Sequence, residues 1–254
     1  LMFGTFNRPD GDMYEGIKDN FSFVLNYRPE GMFAFAAGAD YDGETTDQLT
    51  NFSGVFEAEI NTQSAFAEVA FTPVEGLSIT AAGRLDDNSR FGAFDTYRIT
   101  IAYFVPDFFA GADVKFRASY GTGAKSPGLY QLFDPSYGNP NLTTAESEGA
   151  DIGVDLIWDR AQLQLTLFTN DVTNEFDFDN FAGPFGFGGY VNLGETESNG
   201  FELAGHVEAT DWLTITQSLT VLDSENAVTG VWLGRPRYSG STSVTINPAP
   251  QWSL

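Results

Sequence analysis

The chain has no cysteine, and His206 is its one histidine in 254 residues. Disulfide staples, thiolate metal centres and cysteine nucleophiles are thereby excluded, and a histidine-based metal site or catalytic triad has almost nothing to draw on. Basic residues are scarce as well: 12 Lys plus Arg stand against 35 Asp plus Glu, a formal charge of −23. Such a surface repels phosphate backbones, so nucleic acid is not a partner. No run of about 18 apolar residues occurs, which excludes a membrane-spanning helix but not a spanning strand, whose signal is alternation. The opening LMFGTFNRPDGD has no basic stretch leading into an apolar one, so a processed or partial chain is expected.

What the chain does have is 24 Phe, 10 Tyr and 27 Gly, where a disordered acidic chain would be poor in aromatics. It should fold, and the pattern is period two. Leu77, Ile79, Ala81, Gly83 and Leu85 alternate with Ser78, Thr80, Ala82, Arg84 and Asp86. Tyr97, Ile99, Ile101, Tyr103 and Val105 alternate with Thr96, Arg98, Thr100, Ala102 and Phe104; Val114, Phe116, Ala118 and Tyr120 with Lys115, Arg117 and Ser119; Leu163, Leu165 and Leu167 with Gln162, Gln164 and Thr166. Less regular versions bring the expectation to roughly a dozen strands of about 9–12 residues, longer than those of a soluble sheet.

The connections alternate too. Tight turns are expected at Arg28–Gly31, Thr72–Gly76, Pro106–Gly111, Trp158–Arg160, Thr210–Trp212 and Asn247–Gln251, and longer loops at 42–60, 87–93, 122–146, 172–190 and 223–236. A β-sandwich has no reason to sort its connections by parity, whereas an outer-membrane barrel has short periplasmic turns at one rim and long extracellular loops at the other. Charges in mid-strand (Arg84, Arg98, Lys115, Arg117, Glu68, Asp155, Glu202) suit a wet lumen, and Tyr27, Tyr41, Tyr97, Tyr103, Tyr120, Trp158 and Trp212 near strand ends suit an interfacial girdle. The fold expected is therefore all-β, a transmembrane antiparallel β-barrel.

No constellation of nucleophile, base and orienter is visible, so the chain does not read as an enzyme. The acid pairs Asp86/Asp87 and Asp177/Asp179 read as solvated loop carboxylates, and His206 as a lumen-facing hydrogen-bonding residue beside Glu202 and Glu208. Asp10, Asp12 and Glu15 form a loose oxygen-ligand cluster in which calcium is the alternative to a solvated acidic loop. The candidates for substrate contact are Phe176, Phe178, Phe181, Phe185, Phe187 and Tyr190 in EFDFDNFAGPFGFGGY, because so many exposed rings need either neighbouring loops or a ligand to cover them. Tyr130, Phe133 and Tyr137 in the long 119–148 segment join them. Arg84, Arg98, Lys115 and Arg117 form a basic ladder on the lumen side of three consecutive strands.

The sequence SYGTGAKSPGLYQLF, followed by YGNPNL and TTAESEGADIGVDL, resembles the β-barrel of TonB-dependent outer-membrane receptors. LSITAAGRLDDNSRFG, YVNLGETESNGFELAGHVEA and Gly234-Arg235-Pro236-Arg237 resemble other barrel segments of that family in order and spacing, with the cobalamin and catecholate-siderophore group nearest. The resemblance covers most of the chain from about residue 60. It implies that residues 1–254 are part of the barrel, about 13 of the family's 22 strands, with the plug domain, the TonB-contacting segment and the C-terminal strands absent. It further implies residence in the cell outer membrane of a Gram-negative bacterium, in contact with its lipid. The implied function is energy-coupled import of an iron–siderophore or cobalamin, with TonB acting through the plug. The basic ladder would then face the plug, guide an anionic ligand or neutralise acidic neighbours. A passive outer-membrane porin or channel, or a soluble β-rich binding module, are the alternative functions.

Overall fold

The structure, a computed structural model, describes residues 2–7, 13–50, 54–183, 186, 188–227, 229–231 and 234–247. These form β1 (Met2–Asn7), β2 (Met13–Tyr27), β3 (Phe33–Thr50), β4 (Gly54–Phe71), β5 (Leu77–Asn88), β6 (Gly92–Phe109) and β7 (Ala112–Lys125). A short helix, α1 (Leu129–Phe133), follows, then β8 (Ala145–Trp158), β9 (Ala161–Asp179), β10 (Gly189–Thr210), β11 (Leu213–Asn226) and β12 (Tyr238–Ile246). The strands make one antiparallel meander of 12 in sequence order, with β1 and β12 at its edges. No helix among the described residues is long and apolar enough to cross a membrane, as the absence of long apolar runs required.

The sheet curls. At about 4.8 Å per strand a flat sheet would hold β4 and β9 about 24 Å apart, yet Ile60 of β4 and Val172 of β9 pack on the same small cluster of Leu132, Leu142, Ala145 and Phe176. The helix α1 leaves the sheet after β7 and nevertheless lies against β3 and β4, so the 126–144 segment crosses the concave side. That side carries two networks of charged side chains: Asp40, Ser64, Arg84 and Asp86 are linked by hydrogen bonds on it, as are Arg117, Asp155 and Thr166.

The convex side carries the apolar half of the alternation. Tyr97, Ile99, Ile101 and Tyr103 are 42–50% exposed there, and at about 3.3 Å per residue they cover about 20 Å, comparable to the about 25 Å apolar band of outer-membrane barrels. Phe21, Phe23, Leu25, Leu85, Ile152 and Leu167 are also exposed. In water this surface would be an aggregation liability; against lipid tails it is the required one. Near the short turns Phe33 stacks on Phe35 and Phe71, and the Trp158 indole N–H donates to Ala110 O at 3.2 Å. The short turns are tight where expected. Gly76 takes φ +81°, and a Cβ there would lie 2.4 Å from Phe104 O, so only glycine fits.

The strands are longer than the alternation alone predicts. β3 and β4 each run 18 residues, β9 runs 19 and β10 runs 22. They extend through residues 42–50, 54–60 and 172–179, which the sequence reading gave to loops. Over residues 42–50 both faces are almost wholly polar, so the period disappears. The ladder persists because Asp42↔Thr62, Glu44↔Ile60 and Thr46↔Ala58 still satisfy each other's backbone. The expectation of about 13 strands compares with 12 among the described residues; the turn at Asn247–Gln251 lies mostly outside them.

Candidate functional site

At the end of the sheet away from the short turns, the 126–144 segment folds into a compact cap. Asp134, itself buried, accepts from the backbone N–H groups of Ser136 (2.9 Å) and Tyr137 (2.8 Å) through Oδ1, an Asx turn that reverses the chain after α1. Gly138 N donates to Asp134 O and Asn139 N to Gln131 O, each at 2.8 Å. Leu142, where YGNPNL returns the chain to the wall, is 3% exposed in the cluster with Leu132. The turn-rich composition of this segment therefore encodes a folded cap.

The cap brings together two groups of aromatics that lie some fifty residues apart in the chain. The Tyr130 ring meets Tyr190 edge-on at 6.2 Å, Tyr190 meets Phe178 at 5.5 Å, and Phe178 meets Tyr137 at 5.6 Å. The result is a continuous chain of four edge-to-face rings. Backbone contacts fix it: Tyr190 N donates to Tyr137 O at 3.1 Å, and Asn139 Nδ2 donates to Tyr190 O at 2.9 Å. Tyr130, Tyr137 and Phe178 remain exposed while Tyr190 is half-buried. Partial desolvation of its ring in the cap raises the Tyr130 phenol above its ordinary range, helped by Asp134 and by the Tyr190 and Tyr137 phenols.

The other aromatic candidates divide. Phe181 is 92% exposed at the tip of the β9–β10 hairpin. Phe176 is turned in and buried in the cluster, with the Lys125 ammonium 5.2 Å from its ring centroid, so it supports the cap and does not belong to its surface. Phe133 is half-buried beneath the Arg90 guanidinium, 4.8 Å away. Phe185 and Phe187 lie outside the described residues, as do Asp10 and Asp12. Glu15 stands in β2 opposite Asp47 of β3. Among the described residues no group of three or more His, Asp or Glu side chains is arranged to hold a metal ion.

Below the cap, the basic ladder is split between paired and unpaired cations. Arg84 Nη1 lies 2.7 Å from Asp40 Oδ2 and its Nε 2.9 Å from Asp86 Oδ1, while Ser22 and Ser64 donate to the same two carboxylates. Arg117 pairs with Asp155 at 3.1 Å and Asp151 at 3.6 Å and donates to Thr166. Gly153 makes room for it: a Cβ there would fall 2.6 Å from Arg117 Cζ. Arg98 and Lys115 form no ion pair among the described residues; Arg98 lines a recess of about 460 Å³ with Phe66, Glu68 and Arg84. A further network joins Arg235 of the 227–237 segment to Glu175 at 3.1 Å, with Thr196 donating to the same carboxylate at 2.6 Å and the buried Ser198 and Ser224 beside it.

Sequence reasoning did not assign roles to Arg90, Asp134, Asn192 or Arg235. Asp134 and Asn139 carried a signal, since Asp-Pro-Ser and Asn-Pro-Asn are turn initiators. Arg90 and Arg235 carried none, because their partners lie far along the chain.

A family profile described as TonB dependent receptor-like, beta-barrel, matches residues 3–254. The chain is similar to the vitamin B12 transporter BtuB of Vibrio cholerae, 29% identical over 185 residues, which covers 72% of this chain and 28% of the transporter. To BtuB of Vibrio vulnificus it is 30% identical over 214 residues, 78% of this chain and 33% of the relative. The chain thus spans about a third or less of the length of these curated relatives. Among solved structures, the siderophore receptor PirA from Pseudomonas aeruginosa superposes with a TM-score of 0.78 at 19% identity, covering 98% of this chain and 46% of the receptor. The copper transporter OprC superposes at 0.75 and 13% identity, covering 94% and 43%. At these identities the structural likeness speaks for the fold.

Proposed function

The chain belongs to the TonB-dependent receptor β-barrel family, a family of outer-membrane transport receptors and not of enzymes, and from that premise we propose that it forms wall and recognition surface of a receptor importing cobalamin or an iron–siderophore. The observation that carries this reading is the chain of four edge-to-face rings, Tyr130, Tyr190, Phe178 and Tyr137, held above a charged inner wall. Rigid aromatic edges and phenols fit a large, flat, partly apolar ligand, and their order on the cap lowers the entropy cost of binding it. The likeness to vitamin B12 transporters supports the corrinoid side of the reading.

Energy coupling belongs to the same proposal. TonB would act through a plug domain in the complete protein, and Arg98 and Lys115, which form no ion pair among the described residues, are wall cations free to meet plug carboxylates or an anionic ligand. The complete gene, expressed in a Gram-negative host lacking its own receptors, is expected to confer uptake of labelled cyanocobalamin or ferric enterobactin that stops when TonB is deleted or the proton gradient is collapsed. Uptake that persists without TonB would make the protein a passive channel; no uptake of either probe would remove the transport reading for these ligands.

A further inference from the structure

We propose that Arg90 is a positioning residue for ligand recognition. Resting on the receptor reading above, it clamps the 126–144 cap to the β5–β6 hairpin, so that Tyr130 and Tyr137 stay aligned with Phe178 and Tyr190. The clamp starts from a rigid base. Asn88 is 5% exposed, donates through Nδ2 to Thr62 Oγ1 at 2.8 Å, and accepts through Oδ1 from the backbone N–H groups of Arg90 (2.9 Å) and Phe91 (3.1 Å). This side chain fixes the backbone from which Arg90 projects.

From that base the guanidinium reaches a segment fifty residues on. Its Nη2 donates to Pro140 O at 2.5 Å, and its carbon sits 4.8 Å from the Phe133 ring centroid and 5.9 Å from that of Phe91. Pro140 adjoins Asn139, whose side chain donates to Tyr190 O, and Phe133 belongs to α1, which carries Tyr130. On its opposite side the cap is tied to β10, where Asn192 accepts from Thr143 N at 3.1 Å and donates to Thr143 O at 3.3 Å. The cap is thus a strap pinned from two sides, and Arg90 is one pin. A guanidinium fits this post because it can stack and donate together. Its planar face and one N–H are engaged by the strap, so its effect on a ligand passes through the rings it aligns.

The test uses the complete receptor purified in detergent, and the same protein in cells, as wild type, Arg90→Ala and Arg90→Lys. Trypsin cleavage after Lys125, at the foot of the strap, is expected to run about tenfold faster in Arg90→Ala. The Kd for cyanocobalamin or ferric enterobactin is expected to weaken by about tenfold with maximal uptake unchanged, and Arg90→Lys, which keeps a cation over Phe133, to recover part of both. Unchanged cleavage would show that Arg90 does not hold the strap; faster cleavage with unchanged Kd would show that it holds the strap without positioning the ligand. Either result overturns the proposal. If neither probe binds wild type, the receptor reading fails and the positioning role with it, while the cleavage comparison still decides whether the clamp exists.

Discussion

Glu148 and Asp171 stand directly opposite one another across β8 and β9, and the same level continues as Asp171 opposite Glu197 and Glu197 opposite Glu225. All four are exposed on the convex side. Directly opposed side chains lie about 5 Å apart, and like charges at that spacing repel. Four residues further along the same strands, toward the short turns, the row becomes Ile152, Leu167, Phe201 and Val221. The acid row therefore sits just outside the apolar band, where a solvated carboxylate costs least, and each strand keeps its register from the lipid-facing residues below.

Replacing Asp171 by Asn relieves repulsion from both neighbours at once. The heat-unfolding midpoint of the complete receptor is expected to rise by about 1–3 °C at low ionic strength. In 1 M salt, where screening acts over about 3 Å, the gain should largely vanish. A midpoint that falls would mean that Asp171 makes a favourable contact outweighing the repulsion.

Arg117 is the inverse case, a cation that two carboxylates require. Asp155 is 4% exposed, and its oxygen lies 3.1 Å from Arg117 Nε. Arg117→Ala leaves that carboxylate buried without its partner, at a cost of about 3 kcal/mol in denaturant unfolding of the complete receptor. Pairing the substitution with Asp155→Leu should restore most of the loss, because an apolar pair replaces an orphaned charge. Failure of the double variant to recover would point to Asp151 or Thr166 as the partner that matters.

The parts of the fold legible in the sequence are those where one face of a strand is apolar and the other polar. Leu77–Asp86 and Thr96–Val105 alternate cleanly because every second residue must be apolar, and both are strands as read. The extension of β3 through DGETTD was not legible, since polar residues on both faces leave no side-chain period to read. The five residues of α1 are too few to show a helical one. For the site, residue types pointed to the right rings but not to their company: Phe176 and Phe178 are neighbours in an alternating run, and the cap decides that one is buried and the other displayed. Arg90 was invisible for a related reason, because an arginine in a three-residue turn reads as solvated until the carbonyl of Pro140 is seen beside it.

Asp134 is the internal hinge pin of the cap. Asp134→Ala strands the amides of Ser136 and Tyr137 and is expected to cost the cap about 1–2 kcal/mol. Hydrogen exchange at those two amides should accelerate about tenfold or more, with strand amides of β7 and β8 unchanged. Asp134→Asn keeps an acceptor oxygen and should fall between. Exchange that speeds equally in the strands would mean that the cap and wall open together.

Tyr130 gives the cap a pH limit on the alkaline side. Burial first, then the Asp134 carboxylate and the Tyr190 and Tyr137 phenols, push its phenol above the ordinary value near 10. In an opened cap the phenol would ionise at about pH 10; in the closed cap it holds its proton to higher pH. The stabilisation tied to this neutral phenol is therefore complete below pH 10 and is lost as pH rises through the closed-state value. With ¹³Cζ-labelled tyrosine, the resonance missing from Tyr130→Phe is expected to titrate above 10 in the complete receptor, and to move back down in Asp134→Asn. Binding of cyanocobalamin or ferric enterobactin should then weaken above pH 10 in wild type, and less so in Tyr130→Phe. A Tyr130 resonance that titrates at or below 10 would mean that the ring does not pack against Tyr190 as the closed cap requires.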